Sequence, residues 1–250
     1  MSSPWLFVPR PAASPRARLL IFPHSGGGPP AFRGWEDRLP PEVELVIAHL
    51  PGRLSRLREA PVREPERLLA ALLTALRPRL DLPLVLLGHS LGARVALALA
   101  HRLRRAGLPA PQALIVSGRR GPSLPDPRPP MHGLPQALFL RELERRYGAL
   151  DEALRHPELA AMMFPALQAD LQLSETWPAE VGPPLELPIY ARGGDADISV
   201  GPEHLQAWRA ETTGDFSVRR LAGGHFYLLR DPDPFVASIR EVLERAAAGG

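Results

Sequence analysis

The stretch from Leu82 to Arg105 restricts the fold more than any other part of the chain. It opens with a continuous apolar run, LPLVLLG at 82–88. Such a run suits a strand buried on both faces, as in a sheet covered by helices on either side. It passes straight into Gly88-His89-Ser90-Leu91-Gly92, and then into an Ala/Leu-rich helical pattern, Leu91–Arg105, that closes near Gly107. A G-x-S-x-G between a buried strand and a helix is a nucleophile elbow: the serine sits on a strained turn with its hydroxyl free to face a pocket. Glycines at 88 and 92 leave room for the turn and for close strand–helix packing. The helix beginning at Leu91 points its positive end at charge developing on a substrate. A serine N-cap between two packing glycines is the structural alternative.

The rest of the chain alternates in the same manner. Trp5–Val8, Arg18–Pro23, Val43–Leu50, Ala113–Ser117, Leu185–Arg192 and Phe216–Leu221 read as strands. Ala31–Leu39, residues 65–80 and Pro234–Arg245 read as helices, the second with Leu68, Leu69, Leu72, Leu73 and Leu76 at helical spacing after a first-turn proline. Strands alternating with helices predict one α/β domain with a mostly parallel sheet flanked by helices. Residues 119–183 interrupt the pattern. They hold helical stretches at Gln136–Tyr147, Leu150–Arg155 and Pro157–Leu173 but no convincing strand, and are expected to form a helical lid over the site. Met162, Met163, Phe164 and Leu138 are candidates for lining a chamber beneath it, or else for packing the insertion onto the core.

A serine hydroxyl needs a neighbouring base to become a nucleophile. Of eight histidines, His225 is best placed, in Gly223-Gly224-His225-Phe226 directly after the strand ending at Leu221 and before the last helix. His24 lies in a glycine-rich loop, His89 is locked beside the serine, and His49, His101, His132, His156 and His204 stand at strand ends, in helices or in the insertion. The base needs an acid to hold its tautomer, and in the order Ser, acid, His the loop Gly193-Gly194-Asp195-Ala196-Asp197 offers two. Asp197 is preferred for the turn length of Gly194-x-x-Asp197, with Asp195 as the alternative. An oxyanion hole requires two donors. The Leu91 backbone N–H is one; the loop FPHSGGG at 22–28 supplies the other, Ser25 N–H, with Gly26 N–H as the alternative.

Composition narrows the remaining classes. There is no cysteine, which excludes disulfides, thiolate catalysis and cysteine-bound zinc. Every one of the 30 basic residues is Arg, so a phosphate loop with its lysine is absent too. Arginine pairs are scattered without aromatic platforms, and no nucleic-acid partner is expected. No apolar run reaches membrane-spanning length and the N-terminus has no secretory apolar region, so a soluble cytoplasmic monomer is the expectation. No cofactor or metal is required by the chemistry above.

Six motifs, PHSGGG at 23–28, LPGR at 50–53, GHSLGA at 88–93, SGRR at 117–120, LQADLQLSETW at 167–177 and GGHFYLL at 223–229, occur in the order seen in type II thioesterases. These are the stand-alone editing hydrolases of polyketide and nonribosomal peptide synthesis, and the resemblance runs from residue 18 to about residue 240. It implies an α/β-hydrolase fold with a helical lid insertion. It also implies hydrolysis of acyl thioesters on the phosphopantetheine arm of acyl or peptidyl carrier proteins. By position Ser90 matches the family nucleophile, His225 the base, Asp197 the acid, and Ser25 and Leu91 the oxyanion donors. Carrier proteins are usually acidic, so Arg119, Arg120, Arg145 and Arg146 are expected to steer docking. The chain departs from the family in Leu54 after LPGR, where Glu is frequent, and in the acid loop, where Arg192 precedes the glycines and Ile198 follows the acid. A carboxylester hydrolase, an acyltransferase and a silent binding protein of the same fold are the rival readings.

Overall fold

A computed structural model describes residues 3–148, 152–178 and 182–249. Seven strands form one sheet in the order β1-β3-β2-β4-β5-β6-β7: β1 Leu6–Phe7, β2 Ala17–Phe22, β3 Val43–Ala48, β4 Leu84–His89, β5 Ala113–Ser117, β6 Ile189–Gly194 and β7 Phe216–Leu221. All neighbours are parallel except the short edge strand β1, which runs antiparallel to β3. The helices are α1 Pro65–Leu76, α2 Leu91–Arg105, α3 Gln136–Tyr147, α4 Glu152–Arg155, α5 Pro157–Thr176, α6 Pro202–Gln206, α7 Tyr227–Arg230 and α8 Pro232–Ala248. No described helix is long and apolar enough to cross a membrane.

Continuous apolar strands are what a sheet covered on both sides demands. In β2, Leu20 and Phe22 pack into the core under α1 and α2, while Leu19 and Ile21 face the opposite core beneath α8. Leu84 and Leu86 of β4 alternate with Val85 and Leu87 in the same way. The polar alternation of β7 fits its place at the other edge, where one face is open. Leaving the carboxyl end of β2 the chain turns to one side, towards β3; leaving β4 it turns to the other, towards β5. That reversal is the topological switch point at which sheets of this type open a crevice. The register brings Phe22 beside Gly88, His89 beside Ser117 and Gly194 beside Leu221, so the loops after these strands all emerge along one rim.

Three expected elements differ. Ala31–Leu39 is not one helix but two 3-10 turns, Pro29–Phe32 and Trp35–Asp37, separated by Gly34 in the left-handed region at φ 77°. Its apolar residues Phe32 and Trp35 still reach the core. The sixth strand begins at Ile189 rather than Leu185, which makes only an isolated bridge with Thr212; Pro188 lacks the N–H a longer ladder would need. The helix over 65–80 stops at Leu76 and tightens to a 3-10 turn around Pro78. The insertion between β5 and β6 does contain α3, α4 and α5. It carries its own apolar cluster of Met131, Phe139, Leu154, Ala160, Leu167 and Leu171. The expected helix start at Leu150 lies outside the described residues.

At the amino ends of the strands, buried Arg18 donates to Glu44 at 2.7 Å and to Asp81 at 2.5 Å, and Arg79 reaches Glu44 at 3.1 Å. A charge this enclosed persists only because it is paired. The network lies at the opposite end of the sheet from the rim of loops and belongs to stability.

Candidate active site

Ser90 caps α2 from the end of β4 with φ 55° and ψ −115°, a region that only a strongly constrained non-glycine residue occupies. Two contacts impose it. The Ser90 N–H donates to the Ser117 carbonyl at 2.8 Å, and β4 lies so close to α2 that a Cβ on Gly88 would come within 2.1 Å of the Gly92 carbonyl oxygen. The hydroxyl thereby faces a cavity of about 730 Å³, which His24, Ser25, Gly26, His225 and Phe226 also line.

His225 is buried in that wall. Its ring packs against Phe226, His89 and, from α3, Tyr147, with centroids 5.0, 5.1 and 4.8 Å away. Its Nδ1 lies 2.8 Å from Asp197 Oδ2, which places the proton on Nδ1 and leaves Nε2 as the basic nitrogen. Asp197 is itself buried, with a relative exposure of 7%. Its other oxygen accepts from the Ser199 N–H at 2.8 Å and the Ser199 hydroxyl at 2.6 Å. Burial alone would raise the carboxyl pKa. The bonds from His225 and Ser199 outweigh it and hold the group below the ordinary carboxylate value. Asp195 does something else. It is exposed, and its carboxylate accepts from the Gly223 N–H at 2.9 Å while its own N–H donates to Leu221 at 2.8 Å. Asp195 ties down the loop that carries the histidine.

The glycine-rich loop after β2 separates its two candidate donors. The Gly26 N–H is taken by Asp170 Oδ2 at 2.7 Å. The Ser25 N–H has no intramolecular acceptor among the described residues. The Leu91 N–H, first in α2, is one of the amides that a helix leaves without an internal partner. Two amides are thus without an internal acceptor among the described residues, one on the residue after the serine and one on a loop that lines the same cavity.

Beneath His225, His89 is fully enclosed and its Nδ1 meets the Ser117 hydroxyl at 3.1 Å, which meets the Tyr227 hydroxyl at 2.9 Å. Burial, then the neighbouring His225 and His24, push the His89 pKa well below its ordinary value, so this ring is a neutral support. The Arg192 departure leaves the acid untouched: its guanidinium is absorbed by Ser238 on α8 and by Ser217.

Some expectations fail. Arg146 is buried and donates to the Pro129 carbonyl at 2.8 Å, and Arg119 is engaged with the Ser174 hydroxyl and carbonyl, so neither presents a docking charge. Burial lowers the Arg119 pKa to about 10, the mark of a guanidinium drawn inward. Arg145 is exposed but already paired with Glu142 at 2.7 Å. Met162 and Met163 do line the cavity, whereas Phe164 packs on Phe139 at 5.2 Å and Leu138 lies away from it. Sequence reasoning missed Tyr147, Ser199 and the pairing of Arg53 with Asp170. Both members of that pair lie in motifs quoted above, LPGR and LQADLQLSETW, and Asp170 also stands out as a carboxylate inside the apolar run ALQADLQL.

The profile of the Thioesterase domain family matches residues 17–243. The gramicidin S biosynthesis protein GrsT of Aneurinibacillus migulanus is 33% identical, over 90% of this chain and 88% of its own. Among solved structures, the type II thioesterase BorB of the borrelidin biosynthetic cluster is similar at TM-score 0.86 and 34% identity, covering 98% of both chains. RedJ, the thioesterase of the prodiginine pathway in Streptomyces coelicolor, is similar at TM-score 0.82 and 39% identity, over 96% of this chain and 94% of its own. A serine on a strained elbow, a buried imidazole–carboxylate pair on the same rim and a family match over nearly the whole length agree: the chain belongs to the thioesterase domain family and is an α/β-hydrolase-fold enzyme of the type II thioesterase kind.

Proposed function

We propose that the protein frees acyl groups from the phosphopantetheine arm of acyl or peptidyl carrier proteins, with Ser90 as nucleophile, His225 as base and Asp197 as its acid. The observation that carries this reading is the buried 2.8 Å contact of His225 Nδ1 with Asp197, on the wall of the cavity that Ser90 faces. His225 Nε2 takes the Ser90 proton as Oγ adds to the thioester carbonyl. The Ser25 and Leu91 amides receive the charge that develops on the carbonyl oxygen. The C–S bond then breaks, and the proton held by His225 passes to the departing thiolate. A water deprotonated by the same nitrogen adds to the acyl–serine ester, the bond between the acyl carbon and Ser90 Oγ breaks, the proton on His225 passes back to Oγ and the free acid leaves. Asp197 stays ionised and stabilises the imidazolium in both halves.

The chamber supports an acyl substrate. Leu143, Leu154, Met162, Met163 and Leu167 of the insertion face Leu54 and Leu57 across it, an apolar wall suited to a carbon chain. On this reading α3, α4 and α5 act as the lid. GrsT, BorB and RedJ are named for gramicidin S, borrelidin and prodiginine biosynthesis, which supports a place beside an assembly line that builds on carrier proteins.

A panel of acyl groups, presented as carrier-bound thioesters, as free pantetheine thioesters and as matched oxygen esters, tests the proposal. The expected result is a kcat/KM for carrier-bound thioesters at least about tenfold above that for the oxygen esters. That corresponds to about 1.4 kcal/mol of differential transition-state binding. Equal or better turnover of the oxygen esters marks a carboxylester hydrolase. Product formed only when an alcohol or amine is supplied marks an acyltransferase.

A further inference from the structure

Three hydrogen bonds meet on a single buried carboxylate at the back of the oxyanion loop. Asp170, on α5 and with a relative exposure of 1%, accepts from the Gly26 N–H and from Arg53 Nη1, both at 2.7 Å on Oδ2, and from Arg53 Nη2 at 2.9 Å on Oδ1. Arg53, itself buried in the turn after β3, also donates to the Gly27 carbonyl at 3.1 Å. The two side chains lie 117 residues apart in sequence, and joined as a pair they bond to two successive residues of the same loop. The loop has little freedom left: Gly26 is in the left-handed region at φ 77°, and a Cβ there would stand 3.0 Å from Leu167 on the same face of α5.

We propose that Arg53 and Asp170 are positioning residues that set the second oxyanion donor. The carboxylate takes the Gly26 amide out of the pocket and, by fixing that peptide, aims the preceding amide, that of Ser25, at the carbonyl oxygen of the substrate. The fork of Arg53 is needed for two reasons. It locks the carboxylate in one plane, which a lone point charge does not do. It also neutralises a negative charge that would otherwise oppose the oxyanion from behind the loop. This inference rests on the assignment of Ser25 as a donor and concerns the rate of the chemical step alone, since neither residue belongs to the Ser90–His225–Asp197 set.

The test measures Asp170→Asn and Arg53→Lys on p-nitrophenyl acetate and on an acyl-pantetheine thioester, together with the rate at which a fluorophosphonate labels Ser90. Asn at this position opposes one of the three donors with its own NH2, and Lys loses the second arm of the fork. A mis-aimed donor is expected to lower kcat about 10- to 100-fold for D170N and about tenfold for R53K. KM and the pH at which the rate inflects should stay within twofold and within 0.3 units, each about the precision of such measurements, because the base and its acid are untouched. Labelling should slow in parallel, since the phosphoryl oxygen occupies the same hole. A purely structural role would instead lower the unfolding temperature while leaving kcat of the folded fraction, counted by active-site titration, at the wild-type value. That outcome, or a loss confined to KM, overturns the proposal. If D170N does not fold, R53K decides by the same criteria. Wild-type protein that hydrolyses the oxygen ester and ignores the thioester would refute the proposed substrate and leave the clamp testable on the ester and by labelling.

Discussion

Ser90→Ala is expected to lower kcat by about a million-fold, to the level that binding and the proposed oxyanion amides sustain without a nucleophile. Asp197→Asn is expected to cost about 10,000-fold with little change in KM: with its oxygen kept on the two Ser199 donors, the amide turns its NH2 to His225, donates to Nδ1 and so fixes the tautomer with the proton on Nε2. The sharper comparison is with Asp195, two residues away on the same loop. Its carboxylate is exposed and holds only the Gly223 amide. Asp195→Asn therefore costs about tenfold or less in kcat, and about 1 kcal/mol or 2–4 °C in unfolding temperature from the weakened loop. Steady-state kinetics of the three variants checks the order, and equal losses at 195 and 197 would contradict the assignment. The pH dependence follows from the same contacts. Asp197 has a folded pKa held below its ordinary value of 3.8, so the pair stabilises the native state fully above that value. The stabilisation is lost as pH falls through the depressed folded value. In acid unfolding curves D197N should lack this dependence, while D195N keeps it.

The elements legible in the sequence are those whose signal is local. Leu91–Arg105, Ala113–Ser117, Phe216–Leu221 and Gln136–Tyr147 have the bounds their patterns predict, because an apolar run or a helical repeat is a property of adjacent residues. The positions of Ser90, His225 and Asp197 could be ordered along the chain, since the strand ends that carry them are themselves such patterns. What escaped is of two kinds. A single glycine at 34 broke an expected helix that kept its buried residues, and Pro188 delayed a strand: the apolar pattern records burial, and the ladder obeys backbone limits. The other kind is long-range pairing. Arg119 and Arg146 read as surface charge because arginine usually is, yet Ser174 and Pro129 draw them inward. Asp170 meets Gly26 across 144 residues. No local periodicity encodes such a meeting; the motifs that hold Arg53 and Asp170 could be quoted from the sequence, but not joined to each other or to Gly26.

Gly92→Ala is expected to damage both fold and activity, although it adds one methyl group and should favour the helix by propensity, where Ala is about 1 kcal/mol better than Gly. The reason is distance. A Cβ at 92 would stand 1.9 Å from the Phe22 carbonyl oxygen, 2.5 Å from its carbon and 2.8 Å from the Pro23 carbonyl oxygen, all backbone atoms with no rotamer to give way. Relief requires the first turn of α2 to move away from the end of β2. Those two segments carry the Leu91 amide and the 23–28 loop, so the shift changes the spacing of the two proposed oxyanion donors. Overpacking of this kind costs about 3 kcal/mol or more, or about 6–12 °C in unfolding temperature for a chain of this size. A displaced donor costs a further 100-fold or so in kcat, in keeping with the about 2.7–4 kcal/mol that one oxyanion contact supplies. Gly107→Ala is the matched control. Nothing stands within 4 Å of a Cβ there, and the only penalty is its left-handed φ of 61° at the end of the same helix. It should lose about 1 kcal/mol of stability and none of its kcat. If the folded fraction of G92A turned over substrate as fast as G107A, the close approach of β2 and α2 would have no part in shaping the site.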